Sequence, residues 1–225
     1  MILKYLAVLA SFSIFLNPQC QAWDDDFTSW MAVFAQGPIQ KNSKIGTFLE
    51  AQLRGGATIN SSNRILLRAA ARYEIQPSFF AYAGYGWTPN LSPFRNEHRI
   101  WEQLQYSTKI LSQNFLLRFR HEQRWIERTQ DLAHRSRLMV RTLASTGMEN
   151  VSFAVWDELF INWNTLNNGP AKGFDQNRLF FGPSFAFDGG KILLEPGYLN
   201  VSLRRPTFDT GIMNHVAAFF VFVNF

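Results

Sequence analysis

The chain has 225 residues, 47% of them hydrophobic, 16% aromatic and 17% charged, with a formal net charge of +5. This composition excludes a disordered or collagen-like chain, and a single cysteine excludes a disulfide scaffold or a cysteine-rich metal site. With 22 Phe and 7 Trp but a slightly polar mean hydropathy of −0.12, apolar and polar residues must interleave closely rather than segregate.

Residues 1–22 read as a secretory signal peptide. Lys4 precedes an apolar run of about 12 residues from Tyr5 to Leu16, Asn17-Pro18 breaks it, and Cys20-Gln21-Ala22 places small residues at a cleavage position before Trp23. The run is too short to cross the ~30 Å hydrocarbon core as a helix. Cys20 raises the possibility of a lipoprotein, but Asn17-Pro18-Gln19 lacks the small and aliphatic residues that lipidation needs. The expected mature unit is one domain, residues 23–225, without cysteine, as suits an oxidising compartment. No later stretch reaches the 18 apolar residues of a transmembrane helix.

Beyond that point the chain alternates with period 2. In 44–54 the even positions carry Lys44, Glu50, Gln52 and Arg54, and the odd ones Ile45, Leu49 and Leu53. In 64–75 Arg64, Arg68, Arg72 and Glu74 share one face, and Ile65, Leu67 and Ile75 the other. In 114–125 Arg118, Arg120, Glu122 and Arg124 oppose Phe115, Leu117 and Phe119. A strand with one charged and one aliphatic face lies between water and something apolar. Further candidates are 27–36, 78–88, 97–108, 134–143, 151–164, 174–187, 191–202 and 211–225. Most are far longer than the ~5–6 residues of a soluble strand and meet the ~9–11 needed to cross a bilayer at a tilt.

Short connections (76–77, 109–112, 145–150, 188–190) alternate with longer polar ones (55–63, 89–96, 128–133, 165–173, 204–210), the pattern of short periplasmic turns and long extracellular loops. The predicted fold is therefore all-β, a closed antiparallel transmembrane barrel. The tally is eleven strands. Because single-chain bacterial barrels have even strand numbers, the expectation is about 12, with 10 as the alternative, and residues 23–36 are the suspected source of the mismatch. The chain ends on an apolar row of Phe219, Val221, Val223 and Phe225, which looks like the C-terminal assembly signal of outer-membrane barrels.

Several strings resemble the uncharacterised DUF2490 family of predicted outer-membrane proteins: Glu97-His98-Arg99-Ile100-Trp101-Glu102-Gln103, Arg118-Phe119-Arg120-His121-Glu122-Gln123-Arg124, Trp156-Asp157-Glu158-Leu159-Phe160-Ile161-Asn162, Phe174 to Gly182, and Leu194-Glu195-Pro196-Gly197-Tyr198. The order of motifs is kept across the mature chain. His98 departs from the Asn that the family pattern carries there. The resemblance implies a β-barrel in a bacterial outer membrane, with outer-membrane lipid, lipopolysaccharide and the barrel-assembly machinery as partners and no nucleic acid. It implies no activity.

Strand parity sends Lys44, Arg54, Arg64, Arg68, Arg72, Arg99, Arg118, Arg120, Arg124, Arg135, Arg137, Arg141, Arg178 and Lys191 inward, against Glu50, Glu74, Glu97, Glu122, Glu158 and Glu195. Cations outnumber carboxylates more than two to one. Two readings follow: a narrow anion-preferring channel, or a barrel filled by Arg–Glu pairs that serves a structural or binding role. Glu158 and Glu195 read as ion-pair partners rather than as acid/base carboxylates.

Parity turns His98, His121, His134 and His215 outward near the extracellular rim. The string His134-Arg135-Ser136 has a weak likeness to the His-x-Ser of a barrel phospholipase, making His134 and Ser136 the catalytic candidates of an alternative, lipid-modifying reading. No base-orienting partner is evident. The histidines lie on separate strands without metal-ligand spacing, so no metal or cofactor is expected. Glu102 and Asp157 fall on the lipid face, where a bulge or a protein contact would be needed to accommodate them.

Overall fold

A computed structural model describes residues 23–56, 63–91, 94–110, 113–204 and 211–225; the predicted signal segment 1–22 lies outside them. The described chain is all-β apart from one 3-10 turn, Asp188–Gly190. Its strands are β1 (Trp23–Pro38), β2 (Ile45–Gly56), β3 (Arg64–Gln76), β4 (Phe79–Trp87), β5 (Asn90–Leu91), β6 (Phe94–Arg95), β7 (Glu97–Ile110), β8 (Gln113–Ile126), β9 (Ala133–Ser145), β10 (Val151–Asn162), β11 (Gly173–Phe187), β12 (Ile192–Arg204) and β13 (Gly211–Asn224).

Eleven of these are long and close into a barrel. The other two, β5 and β6, form a small hairpin inside the connection between β4 and β7. Each long strand pairs antiparallel with the next, and β1 then pairs with β13 in parallel, from Trp23 opposite Gly211 to Gln36 opposite Asn224. The even count of 12 or 10 and the wholly antiparallel closure are thereby corrected. In an up-and-down chain of eleven strands the first and last run the same way, so the seam has to be parallel. Residues 23–36, suspected of folding as two short pieces, belong to one 16-residue strand.

Side chains reinforce the seam. Thr28 Oγ1 donates to Asn214 Oδ1 at 3.0 Å, and Gln36 Nε2 donates to Asn224 Oδ1 at 3.2 Å. The last residue docks here too, with Phe225 N donating to Gln36 O at 3.1 Å. Gly37 makes that approach possible, since a Cβ there would sit 2.1 Å from the Phe225 carbonyl oxygen. The strand ends joined by the shorter connections, together with Phe225, form one rim. The ends joined by the longer connections, with Trp23, form the other.

Alternation then sorts the side chains. Outward positions are aliphatic and aromatic: Leu49, Leu53, Leu67, Ile100, Leu104, Leu117, Phe119 and Leu138 are all exposed. A contiguous apolar surface of this size marks a face that meets a protein or a membrane. Inward positions are buried and of two kinds. One is an apolar cluster of Trp156, Phe180, Leu199, Val216 and Phe220 beside Ala32, with a smaller group of Phe48, Tyr82 and Trp101. The other is charged.

Candidate functional site

The charged residues meet at mid-barrel because every second residue of a strand points inward, and β7, β8, β9 and β10 carry Glu97 and Arg99, Arg118 to Arg124, Arg135 to Arg141, and Glu158 at such positions. Glu122 of β8 is fully buried and sits among four cations. Arg135 Nη2 and Nε donate to it at 2.6 and 3.0 Å, Arg137 Nη1 at 2.9 Å and Arg68 Nη2 at 3.3 Å, with Arg99 Nη1 3.7 Å away. Glu158 of β10 takes Arg137 Nε and Nη2, both at 2.9 Å, and Arg118 Nη2 at 2.7 Å, with Arg178 Nη1 3.8 Å away.

Three smaller clusters join these. Glu50 accepts from Arg68 Nη1 at 2.9 and 3.1 Å. Glu97 accepts from Arg99 Nε at 2.7 Å and Arg124 Nε at 2.6 Å. Glu195 accepts from both Arg141 amino groups and, at 2.9 Å, from Ser184 Oγ. Asp175 adds a carboxylate that the sequence reading did not place inside, 3.0 Å from Arg135 Nη1.

Guanidinium groups still exceed carboxylates, and the surplus lies on aromatic faces. Arg120 is 1% exposed, stacks 4.2 Å over Trp101 and donates twice to Gln103 Oε1. Arg135, Arg137 and Arg178 converge on Phe160 at 5.1, 4.5 and 4.3 Å. Arg54 lies 4.0 Å over Trp30 and Arg72 lies 4.6 Å over Phe80. A cation on a desolvated ring face gains up to about 2 kcal/mol, which offsets part of its burial cost. The sequence reading names the charged inward residues and singles out none of these inner rings. The available signal was parity: Trp101 shares a face with Arg99, and Phe160 with Glu158.

Cavities flank this charged layer. One of about 520 Å³, towards the longer connections, is lined by Arg64, Arg95, Arg124, Glu97 and Asp175 among others. Another, of about 270 Å³, lies in the half nearer Phe225. Lys44 and Lys191 are corrected: both are exposed at the rim, where Lys191 Nζ lies 3.2 Å from Asp188.

On the outer face the structure rearranges the expected His134–Ser136 pair. Ser136 Oγ lies 3.1 Å from His121 Nδ1 on the neighbouring strand and accepts from Trp163 Nε1 at 2.8 Å. His134 stacks on His121 with ring centres 5.7 Å apart and Nδ1 3.4 Å from its Nε2. His98 lies against Tyr85, and His215 against Tyr198 and Asp25.

Neither of the two outward-facing acids, Glu102 and Asp157, needs a bulge. Asp157 accepts from Asn177 Nδ2 at 2.7 Å on the adjacent strand, and Glu102 is exposed with His121 as its cross-strand neighbour in an unbroken register. Among the described residues there is no group of three or more His, Cys, Asp or Glu that could hold a metal ion.

Phe219, Val221, Val223 and Phe225 line up on the outer face of β13 and its end, with Phe219 and Phe225 exposed. No curated protein and no solved structure matches the chain. The family model described as "Protein of unknown function (DUF2490)" matches residues 27–211, and the chain therefore belongs to the DUF2490 family.

Proposed function

We propose that this chain is an outer-membrane barrel whose interior is closed to ions, acting as a structural or ligand-binding barrel rather than as a channel or an enzyme. The observation that carries this reading is the pair Glu122 and Glu158, 0% and 2% exposed, each held by several guanidinium groups that cross the barrel. A conducting lumen needs a continuous wet path. Here the guanidinium groups of the mid-barrel layer are held across the lumen by carboxylates, Gln103 and aromatic rings. The apolar outer face supports insertion in a bilayer, and a barrel meets that requirement because it leaves no open sheet edge in lipid. The apolar residues 1–22 would act as the export signal, and the Phe219–Phe225 row as the mark read by the assembly machinery, with lipid and lipopolysaccharide around the finished barrel.

The test is chloride flux into vesicles carrying the refolded protein and an internal chloride-sensitive dye. Flux at the level of protein-free vesicles is expected. A protein-dependent flux would overturn the closed interior.

One observation favours a second, enzymatic reading: the 3.1 Å contact between Ser136 Oγ and His121 Nδ1 on the lipid-facing surface. A serine nucleophile needs a base and a group that orients the base. Among the described residues no carboxylate hydrogen-bonds to His121, whose second nitrogen faces His134. Purified protein given phospholipid and divalent cation should release no fatty acid. Release that Ser136→Ala abolishes would establish the second reading instead.

A further inference from the structure

The cavity on the Phe225 side of the charged layer is lined by both apolar and cationic side chains. Strands β1, β12 and β13, adjacent around the barrel, contribute Trp30, Phe34, Leu193, Phe220 and Phe222. Strands β8 and β9, on the opposite side, contribute Arg118, Arg137 and Arg141 together with the apolar Leu116, Met139 and Leu143, and Arg68 of β3 and Arg178 of β11 add two more cations. Within the lining only Glu50 and Glu158 face these five groups, while Glu195 holds Arg141 and Glu122 holds Arg68 and Arg137 from outside it.

A second feature is independent of that charge imbalance. The Nε atoms of Arg68, Arg118 and Arg178 are buried and have no hydrogen-bond partner among the described residues. The side chains of Arg68 and Arg178 are themselves 3% and 9% exposed. A buried charged donor left without a partner is costly, so three of them on residues that line one cavity mark a place where acceptors belong.

We propose that this cavity binds a single-chain amphiphile with an anionic head, its oxyanion among Arg68, Arg118 and Arg178 and its chain along Phe34, Phe220 and Phe222. The volume of about 270 Å³ is just below the ~300 Å³ at which small-molecule sites begin, which suits one medium-length chain and excludes a two-chain lipid. A carboxylate and a phosphate present the same acceptor chemistry to guanidinium. The proposal deepens the closed-barrel reading and rests on it, because the charged layer forms the cavity's floor.

The experiment is titration calorimetry on the full barrel refolded in a non-ionic detergent, with dodecanoate, dodecyl phosphate, dodecanol and dodecyltrimethylammonium as probes, each below its own micellar concentration. One or both anions should bind saturably at one per barrel, the tighter naming the head group, and dodecanol and the ammonium at least tenfold more weakly. Arg118→Gln should weaken the anions about tenfold and leave dodecanol unchanged. Leu143→Trp, which fills the cavity from its apolar lining without touching the ion pairs, should abolish binding and guards against a misfolded Arg118 variant. Equal binding of all four probes, or anion binding that survives Leu143→Trp, would overturn the proposal. Its failure is distinct from that of the closed barrel, since chloride flux is read on unliganded protein.

Discussion

Arg137 and Glu158 share two hydrogen bonds, Nε to Oε1 and Nη2 to Oε2, both 2.9 Å long. The remaining Arg137 donor, Nη1, goes to Glu122 Oε1. One guanidinium on β9 thus ties together carboxylates from β8 and β10, and Phe160 lies under it as an apolar shelf. Such pairs stabilise less than their Coulomb attraction suggests, because both ions were taken out of water. Breaking one is costly all the same, since the partner is left buried and charged.

Glu158→Ala leaves Arg118 and Arg178 without a carboxylate, as neither has another within ion-pair distance among the described residues. The expected loss is about 3–5 kcal/mol. Lys191→Ala, at an exposed pair with Asp188, should stay within about 0.5 kcal/mol of wild type. Urea unfolding followed by the shift between folded and unfolded gel mobility gives both numbers. Equal midpoints for the two variants would show that the inner network carries no stability.

The parallel seam makes a prediction about register. In a parallel ladder both partners advance together, so Met31 opposes Phe219 and Val33 opposes Val221. All four lie on the outer face. The double variants Met31→Cys/Phe219→Cys and Val33→Cys/Val221→Cys should therefore each cross-link on oxidation, Cα distances between paired strands being within disulfide reach. An antiparallel seam holds the sum of paired residue numbers constant and permits at most one of the two. Cross-linking of only one pair would reject the parallel closure.

Phe225 is anchored by its own backbone N–H to Gln36 O and is exposed on the outer face, so little of the barrel's packing depends on its ring. Deleting Phe225 or making Phe225→Asp should lower the amount of inserted barrel in outer membranes several-fold while leaving the urea midpoint of the purified, refolded protein within about 1 kcal/mol. Unchanged membrane levels would remove the assembly role of the terminal row.

Much of this fold is legible in the chain because a barrel strand has to alternate. The reading 64–75 meets β3 at Arg64–Gln76, and 174–187 meets β11 at Gly173–Phe187. Strand direction is another matter. Period 2 looks the same in parallel and antiparallel pairs, so nothing in residues 23–36 announces that they run alongside β13. The rule of even strand numbers, taken from other barrels, moved an initial tally of eleven the wrong way.

The inner site was legible by residue and illegible by partner. Parity alone places Arg137 and Glu158 inside. Which acid meets which base depends on the stagger between strands: Arg141 reaches Glu195 from β9 to β12 across the interior, and Arg118 reaches Glu158 past the whole of β9. His134 and Ser136 share a strand face, and only the β8–β9 register, with His121 opposite Ser136, shows which histidine the serine meets.

The closed interior is tested most directly by recording from single barrels in a planar bilayer at high potassium chloride. The charged layer around Glu122 and Glu158 predicts no steady conductance steps at any holding potential that the bilayer withstands. A steady anion-selective conductance, reduced when Arg120 and Arg137 are changed to Glu, would contradict it and establish a channel.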